Sequence, residues 1–253
     1  MKLYKFAVLN VVTIVSLTSI APAAVVDWGL GAQSITGTND VSNIGTLVNA
    51  FNLGPSGVQA TTVNGVTFSA FAFPNSFSTD TITHGNYTFA ESFGSLTTYN
   101  TTGSGSAPFS NLPSEYATLL SSSGSSGNPD TLSLTISGLV TDQEYLFQWW
   151  ANDSSLSTLS ANGFHFSTTA STDDSTVTLD DNIGNANGGL GQFVTGRFIA
   201  DGEEQVINFN GVGNDDPALN AFQIRAVPEP SGLALAGIGA AAFAWSRNRR
   251  KRA

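Results

Sequence analysis

Between residues 24 and 226 the chain consists of short runs in which apolar and polar residues alternate, separated by clusters of Gly, Asn, Asp and Ser. No stretch keeps a helical period for long. In the segment TLSLTISGL, Leu132, Leu134 and Ile136 share one face, while the polar residues between them share the other. This alternation predicts a half-buried strand. The segment YLFQWWAN follows after a turn and predicts a partner strand from residue 145.

Several other strands follow from the same pattern. Asn64 and Gly65 stand between two β-rich runs and predict a tight hairpin. Further strands are predicted at residues 163–168, 175–179, 192–200, 205–209 and 219–225. In the last of these, alternation predicts that Phe222 and Ile224 are buried and that Arg225 faces water. Many short strands separated by turns indicate one all-β domain, either a sandwich or a barrel.

The N-terminus has the features of an export signal. Lys2 and Lys5 precede an apolar stretch at residues 6–20, and Ala21 and Ala23 have the small-residue spacing that signal peptidase recognises. The alternative is an uncleaved anchor helix, but the apolar stretch is shorter than the roughly 20 residues that a bilayer requires. We therefore predict a signal peptide at residues 1–23.

The C-terminus combines an apolar run at residues 233–245 with five basic residues between 247 and 252. Basic residues at the end of a membrane segment are retained in the cytoplasm, so the preceding chain is expected outside. The run is short for a permanent span. A buried core helix is the alternative, but so many charges would not enter a core.

Val227, Pro228, Glu229 and Pro230 precede this apolar and basic tail, and the whole segment resembles the PEP-CTERM sorting signal. The resemblance implies a transient inner-membrane anchor that an exosortase, a membrane cysteine peptidase, recognises and cuts near Pro-Glu-Pro. It also implies a final location at the cell surface or outside the cell, in bacteria that make extracellular polysaccharide. The alternative is an ordinary Pro-containing linker before an anchor helix. The chain then divides into a signal peptide (1–23), a β-sandwich domain (24–226) and a sorting tail (227–253).

The strand series from TLSLTISGL to LNAFQIR resembles the C-terminal half of galactose-binding-like domains. The resemblance lies in the rhythm of strands rather than in chemical residues. It implies a two-sheet, jelly-roll-like sandwich, which a signal helix and a short C-terminal hydrophobic helix would flank.

The charge of the exported body restricts its partners. Only Arg197 and Arg225 are basic between the signal and the tail, whereas 18 of the 19 acidic residues lie there, all except Glu229. Such a body repels nucleic acid and anionic membranes, so cations and neutral glycans remain as partners. The chain has no cysteine, so its stability depends on a hydrophobic core rather than on disulfides.

The sequence contains no motif of a known catalytic class, neither a nucleophile elbow, a phosphate-binding loop nor a zinc-binding histidine pair. His84 and His165 are the only histidines. A carboxylate pair for glycoside hydrolysis is available in number, but nothing in the sequence selects one. We therefore predict no catalytic residue and no bound organic cofactor.

Calcium is the metal that the acidic loops favour, because it takes six to eight oxygen ligands. Loops rich in Asp, Asn and Gly are also what tight β-turns require, and that alternative stays open. The candidate ligands lie in one Gly-rich stretch and just before the last strand: Asp173, Asp174, Asp180, Asp181, Asn182, Asp215 and Asp216.

Trp149 and Trp150 are adjacent in a predicted strand and must point to opposite faces. One is expected in the core, and the other is a candidate platform for stacking on a sugar ring. The alternative is that packing covers both.

These features predict an exported, non-catalytic surface or matrix protein associated with exopolysaccharide. A carbohydrate-binding module with a defined glycan ligand is the first alternative, and a secreted hydrolase is the second.

Overall fold

The structure is a computed structural model, and it describes residues 24–75, 79–102, 105–127, 131–155, 167–213 and 216–228. The predicted signal helix, the predicted tail helix, His165, Asp215 and most of the predicted strand at 163–168 lie outside these ranges.

The described residues form 16 strands and one short α-helix. The strands are β1 Gln33–Ser34, β2 Thr46–Gly54, β3 Thr61–Val63, β4 Val66–Ala72, β5 Thr81–His84, β6 Tyr87–Ala90, β7 Thr97–Asn100, β8 Ser122–Ser125, β9 Leu132–Ser137, β10 Glu144–Ala151, β11 Ser167–Thr172, β12 Ser175–Asp180, β13 Gln192–Ile199, β14 Glu204–Gly211, β15 Ala218–Leu219 and β16 Ala221–Ala226; the helix α1 is Ser114–Leu119.

The strands form two large sheets and one small one. The seven-stranded sheet has the order β1-β13-β10-β16-β2-β4-β3, and the six-stranded sheet has the order β12-β11-β14-β9-β6-β5. A small sheet, β15-β8-β7, lies at one end. The chain is therefore an all-β sandwich, as predicted. The Asn64–Gly65 hairpin is confirmed, since both residues have positive φ between β3 and β4.

Aromatic rings fill the space between the two large sheets. Phe222 of β16 lies 5.9 Å, centroid to centroid, from Phe89 of the opposite sheet. Trp149 of β10 lies 5.1 Å from Phe209 of β14. These side chains are fully buried, and they join the sheets into one continuous core. The core forms because alternate residues of β10, β14 and β16 face inward.

A second apolar layer covers the outer face of the seven-stranded sheet. Trp150 packs there against Phe68 and Phe193, and its Nε1 donates to the Tyr116 hydroxyl of α1 at 3.0 Å. Both faces of β10 are therefore buried, as both faces of β16 are. Trp149 and Trp150 are both fully buried, so neither offers a face for stacking on a sugar.

Arg225 is also covered, and the prediction that it faces water is wrong. Its side chain is 7% exposed. The guanidinium donates to the backbone carbonyls of Ile44, Asn43 and Gly45 at 2.8–3.2 Å. The loop before β2 folds over this end of the sheet, and Arg225 binds its last three residues there.

The strand registers define two ends of the sandwich. Ala226 at the end of β16 pairs with Thr46 at the start of β2 and with Tyr145 near the start of β10. We call this end the tail pole, because the C-terminal tail leaves from it. The opposite end, where β10 finishes beside the start of β16, is the distal pole.

Candidate functional site

The predicted calcium ligands are divided between the two poles. Asp173 and Asp174 form the turn between β11 and β12 at the tail pole. Asp180 ends β12 at the distal pole, and Asp181 and Asn182 follow it there, roughly 20 Å away along a six-residue strand. The structure therefore does not gather these residues into one site. Among the described residues, no group of three or more His, Asp or Glu side chains is arranged to hold a metal ion.

The structure does bring Asp181 and Asp216 together, in a cleft at the distal pole. The cleft has a volume of about 310 Å³. We call it the carboxylate cleft, because a third acid, Asp153, lies in the same wall. Its lining residues are Tyr99, Asn100, Thr101, Ser123, Asp153, Ser155, Asp181, Asp216 and Ala218.

Four separate segments carry the three acids and the tyrosine of the carboxylate cleft. Tyr99 lies on β7, Asp153 follows β10, Asp181 follows β12 and Asp216 precedes β15. The backbone N–H of Asp153 donates to the carbonyl of Asp181 at 2.7 Å, which joins two of these segments. The Nδ2 of Asn182 donates to the carbonyl of Asp153 at 2.9 Å. Asn182, a predicted calcium ligand, therefore acts as a brace behind the cleft.

A buried amide, Asn220, supports the cleft from below. Its Nδ2 lies within 3.2 Å of the Leu120, Ser122 and Asn152 carbonyl oxygens, and its Oδ1 accepts from the N–H of Asn152 at 2.6 Å. The segments that carry Thr101, Ser123 and Asp153 adjoin these contacts. Asn220 therefore connects three parts of the distal pole.

Neighbouring residues donate hydrogen bonds to two of the carboxylates in the cleft. The Tyr99 hydroxyl donates to Asp216. Burial, together with this hydrogen bond, raises the pKa of Tyr99 above its ordinary value, so it stays a donor at neutral pH. Ser155 donates its backbone N–H and its hydroxyl to Asp153 at 2.7 and 2.5 Å. Burial nevertheless raises the pKa of Asp153.

We predict that Asp153→Asn raises the melting temperature at pH 7. Burial disfavours the charged carboxylate, and an amide of the same shape keeps the Oδ1 acceptor for Ser155. Because the folded pKa is raised above the unfolded value, the charge reduces stability at neutral pH and ceases to do so below the unfolded pKa, near 4. The increase in melting temperature is expected at pH 7 and should vanish near pH 3.5. Each kcal/mol of added stability should raise the melting temperature by about 2–4 °C.

Asp173→Asn is the matched control, since this substitution removes the same charge from an exposed turn. Thermal unfolding of both variants gives the comparison. An Asp153→Asn protein that melts below wild type at pH 7, or that gains no more than the control, would contradict the effect of burial on Asp153.

A second groove adjoins the carboxylate cleft at Asn100. It is open, has a volume of about 380 Å³ and is lined by neutral residues. Asn52 is fully buried in its wall, and its Nδ2 donates to the Gln59 carbonyl at 2.9 Å. The distal pole therefore offers amides and hydroxyls beside three carboxylates, with no cationic side chain among the residues that line either depression.

His84 is exposed at the end of β5, where its ring lies 5.3 Å from that of Phe51 and 5.5 Å from that of Phe71. It does not line the carboxylate cleft.

The sorting segment begins where the fold ends. The backbone N–H of Val227 donates to the Glu144 carbonyl at 2.9 Å, and its carbonyl accepts from Gln143 Nε2 at 2.6 Å. Val227 is 9% exposed, whereas Pro228 is exposed. The ordered contacts therefore continue to Val227, one residue beyond the predicted boundary at 226. Glu229 and Pro230 lie outside the described residues.

Comparison with known proteins identifies the tail. A family model described as the PEP-CTERM protein-sorting motif matches residues 226–250. The chain carries this motif, which indicates exosortase-dependent sorting of a secreted protein through a membrane-anchored stage to the cell surface. In the part of the chain that the structure describes, no helix has the length and apolarity that a bilayer span needs.

One solved structure gives a weak match to this chain. A solved chain, from work on the promiscuous specificity of carbohydrate-binding modules of the β-sandwich superfamily, is 12% identical, with a TM-score of 0.17. The alignment covers 62% of this chain and 71% of that one. No curated protein gives a significant match.

Proposed function

We propose that this secreted protein, sorted by an exosortase, is a non-catalytic surface or matrix protein that binds exopolysaccharide at its distal pole. The observation that carries the proposal is the carboxylate cleft, in which Asp153, Asp181 and Asp216 lie beside a tyrosine hydroxyl. Carboxylates accept hydrogen bonds from sugar hydroxyls, and such charge-assisted bonds are among the stronger ones. The absence of lysine from the exported body favours a neutral glycan over an anionic one.

The position of the cleft supports this role. The domain ends at the tail pole, so any attachment through its C-terminal end leaves the distal pole free for a ligand. The strand order in the second half of the chain supports a jelly-roll description. From β9 onward the chain passes alternately between the two large sheets, in the order β9, β10, β11, β13, β14 and β16, and β12 is the hairpin partner of β11. Binding sites of sandwich proteins commonly lie in the loops at one end.

We predict that Asp216→Asn weakens binding to exopolysaccharide isolated from the producing bacterium by about tenfold. The amide removes a charged acceptor, and a hydrogen bond to a charged group contributes roughly 1.5–3 kcal/mol. Affinity electrophoresis in gels that contain the polysaccharide gives the dissociation constant. Asp173→Asn, with the same charge change at the tail pole, should bind as wild type does. Equal affinity for wild type and Asp216→Asn would reject the cleft as the binding site.

Glycoside hydrolysis is the second candidate, because three carboxylates share one cleft and burial raises the pKa of Asp153. Tyr99 donates to Asp216 and Ser155 donates to Asp153, and these hydrogen bonds favour a role for both carboxylates in binding rather than in catalysis. Incubation of the protein with the polysaccharide should release no new reducing ends. A release that Asp153→Asn abolishes would make the protein a hydrolase.

We further propose that the exosortase removes the tail near Pro-Glu-Pro, leaving Val227 on the mature protein. The hydrogen bonds of Val227 to the β10 segment make the bonds before it inaccessible to a peptidase without local unfolding. Glu229→Ala should leave the melting temperature unchanged and impair processing only. Intact-mass analysis of the exported protein should find a C-terminus near residue 230. Recovery of protein that retains Arg252 from the cell exterior, or of protein that ends before Val227, would contradict the proposal.

A further inference from the structure

An exposed aromatic residue lies on a loop of the distal pole whose backbone makes several hydrogen bonds. Phe93 is 80% exposed, in the loop at residues 91–96 that joins β6 to β7. Leaving a large apolar side chain in contact with water is unfavourable, by an amount roughly proportional to its exposed apolar area. Single exposed apolar residues are common, so exposure alone indicates nothing. Phe93 differs from other exposed apolar residues because hydrogen bonds to Glu91 hold the backbone of its loop.

Glu91 organises this loop from beneath. Its carboxylate is 9% exposed and accepts from the backbone N–H groups of Phe93 and Ser95, both at 2.7 Å, and from the Ser95 hydroxyl at 2.8 Å. Burial alone would raise the pKa of Glu91, but the hydrogen bonds from Phe93 and Ser95 outweigh burial and hold the pKa below its usual value. Glu91 is therefore ionised at neutral pH and holds the backbone on both sides of Gly94.

Further contacts fasten the loop to the sandwich. The N–H of Gly127 donates to the Ser95 carbonyl at 3.1 Å, and the N–H of Glu91 donates to the Asp80 carbonyl at 2.9 Å. The ring of Phe93 is thus presented from a fixed backbone. Such an arrangement reduces the conformational entropy lost when a ligand packs against the ring.

The loop and the carboxylate cleft belong to the same pole. β7 starts at Thr97, directly after the loop, and carries Tyr99 into the cleft. Six residues of extended chain separate Phe93 from Tyr99, so their backbones lie no more than roughly 20 Å apart. Phe93 is not among the residues that line the cleft, so a ligand bound there reaches the Phe93 ring only by extending beyond the cleft, as a glycan chain can.

We propose that Phe93 is a second contact for the ligand of the carboxylate cleft, where it stacks on the apolar face of a sugar ring. This inference rests on the proposed function, and it specifies the ligand as a polymeric glycan rather than a single sugar. The C–H groups on one face of a pyranose ring are weakly positive, and the face of an aromatic ring is negative. Phe93 therefore complements the cleft, which accepts hydrogen bonds from the hydroxyls of another unit.

The test compares ligand lengths. Polysaccharide from the producing bacterium and the disaccharides obtained from it by partial acid hydrolysis are titrated separately. Phe93→Ala should weaken binding of the polymer about three- to tenfold, as expected for the loss of one aromatic contact, and should leave disaccharide binding unchanged. Phe93→Trp should retain polymer binding. Val140→Ala, which removes an exposed apolar side chain at the tail pole, is the control and should have no effect.

The outcomes separate this inference from the proposed function. If Asp216→Asn weakens polymer binding and Phe93→Ala does not, the cleft is supported as the binding site and the role of Phe93 as a second contact is rejected. If wild type binds neither the polymer nor its fragments, the proposed function fails, and the role of Phe93 fails with it. If Phe93→Ala weakens polymer and disaccharide binding equally, Phe93 does not lengthen the site.

Glu91 acts through Phe93 as a positioning residue. Glu91→Ala should reduce polymer affinity to the level of Phe93→Ala, and it should also lower the NMR order parameter of the Phe93 amide, because the loop loses its central acceptor. An unchanged order parameter in Glu91→Ala would show that other contacts hold the loop, and it would overturn this part of the proposal.

Discussion

Replacing Asn220 by Ala should destabilise the fold by about 4 kcal/mol. The fully buried amide bonds to the backbone of Leu120, Ser122 and Asn152, and truncation leaves those groups without this partner in a dry environment. A buried polar group that loses its partner costs roughly 1–3 kcal/mol. Denaturant unfolding monitored by tryptophan fluorescence gives the free energy of unfolding.

Two controls show whether hydrogen bonding is the cause. Asn220→Asp keeps the volume but directs a carboxylate at carbonyl oxygens, so it should be at least as destabilising as Asn220→Ala. Asn208→Ala removes a half-buried amide that accepts one hydrogen bond from Ser133, and should cost about 1 kcal/mol. An Asn220→Ala protein within 1 kcal/mol of wild type would mean that the distal pole does not depend on this amide.

Replacing Phe222 by Ala should cost about 3–5 kcal/mol, the usual range for a buried aromatic. Phe222 is fully buried on the central strand β16, and its ring lies 5.3–5.9 Å from those of Phe51, Phe89 and Phe147. The ring bridges both large sheets, so its removal leaves a cavity that neither sheet can close. Equilibrium unfolding in urea measures the loss.

Phe93→Ala makes the same substitution at an exposed position, and it should change the free energy of unfolding by less than about 0.5 kcal/mol. If the two substitutions had equal effects, the core of the sandwich would not lie where the structure places it.

The elements with clear alternation could be predicted from sequence. Four of the predicted strands have one face toward the core, so apolar and polar residues alternate along them. They are the strands at residues 132–136, 175–179, 192–200 and 205–209. The Asn64–Gly65 hairpin was predictable because the turn requires positive φ at both residues.

The residues whose environment depends on distant segments could not be predicted. Trp150 and Arg225 occupy the outer parity of their strands, yet α1 and the loop before β2 cover that face. A local pattern carries no information about which segment will cover a sheet. β1, β2, β5, β6, β7 and β8 were not predicted. The sequences of β5, β7 and β8 are rich in Ser, Thr, Asn and Gly and show little apolar contrast. β2 is buried on both faces over its second half and so lacks a period of two, whereas the four residues of β6 do alternate but form only a short run.

The carboxylate cleft was only half anticipated, for the same reason. Asp181 and Asp216 could be predicted as site residues because they lie in acidic loops. Tyr99 lies on β7 and Asp153 follows β10, and both are distant in sequence from those loops. The order of strands in the sheets brings these segments to one pole. Phe93 had one usable signal, a lone aromatic between Ser and Gly in a loop that begins with Glu.

The most direct test of glycan binding at the distal pole is a two-dimensional NMR titration of the ¹⁵N-labelled domain with fragments of the producer's exopolysaccharide. The amide signals of Tyr99, Asp153 and Phe93 should shift, while those of Glu144 and Arg197 at the tail pole should stay in place. Shifts confined to the tail pole, or no shifts at saturating fragment concentrations, would contradict glycan binding at the distal pole.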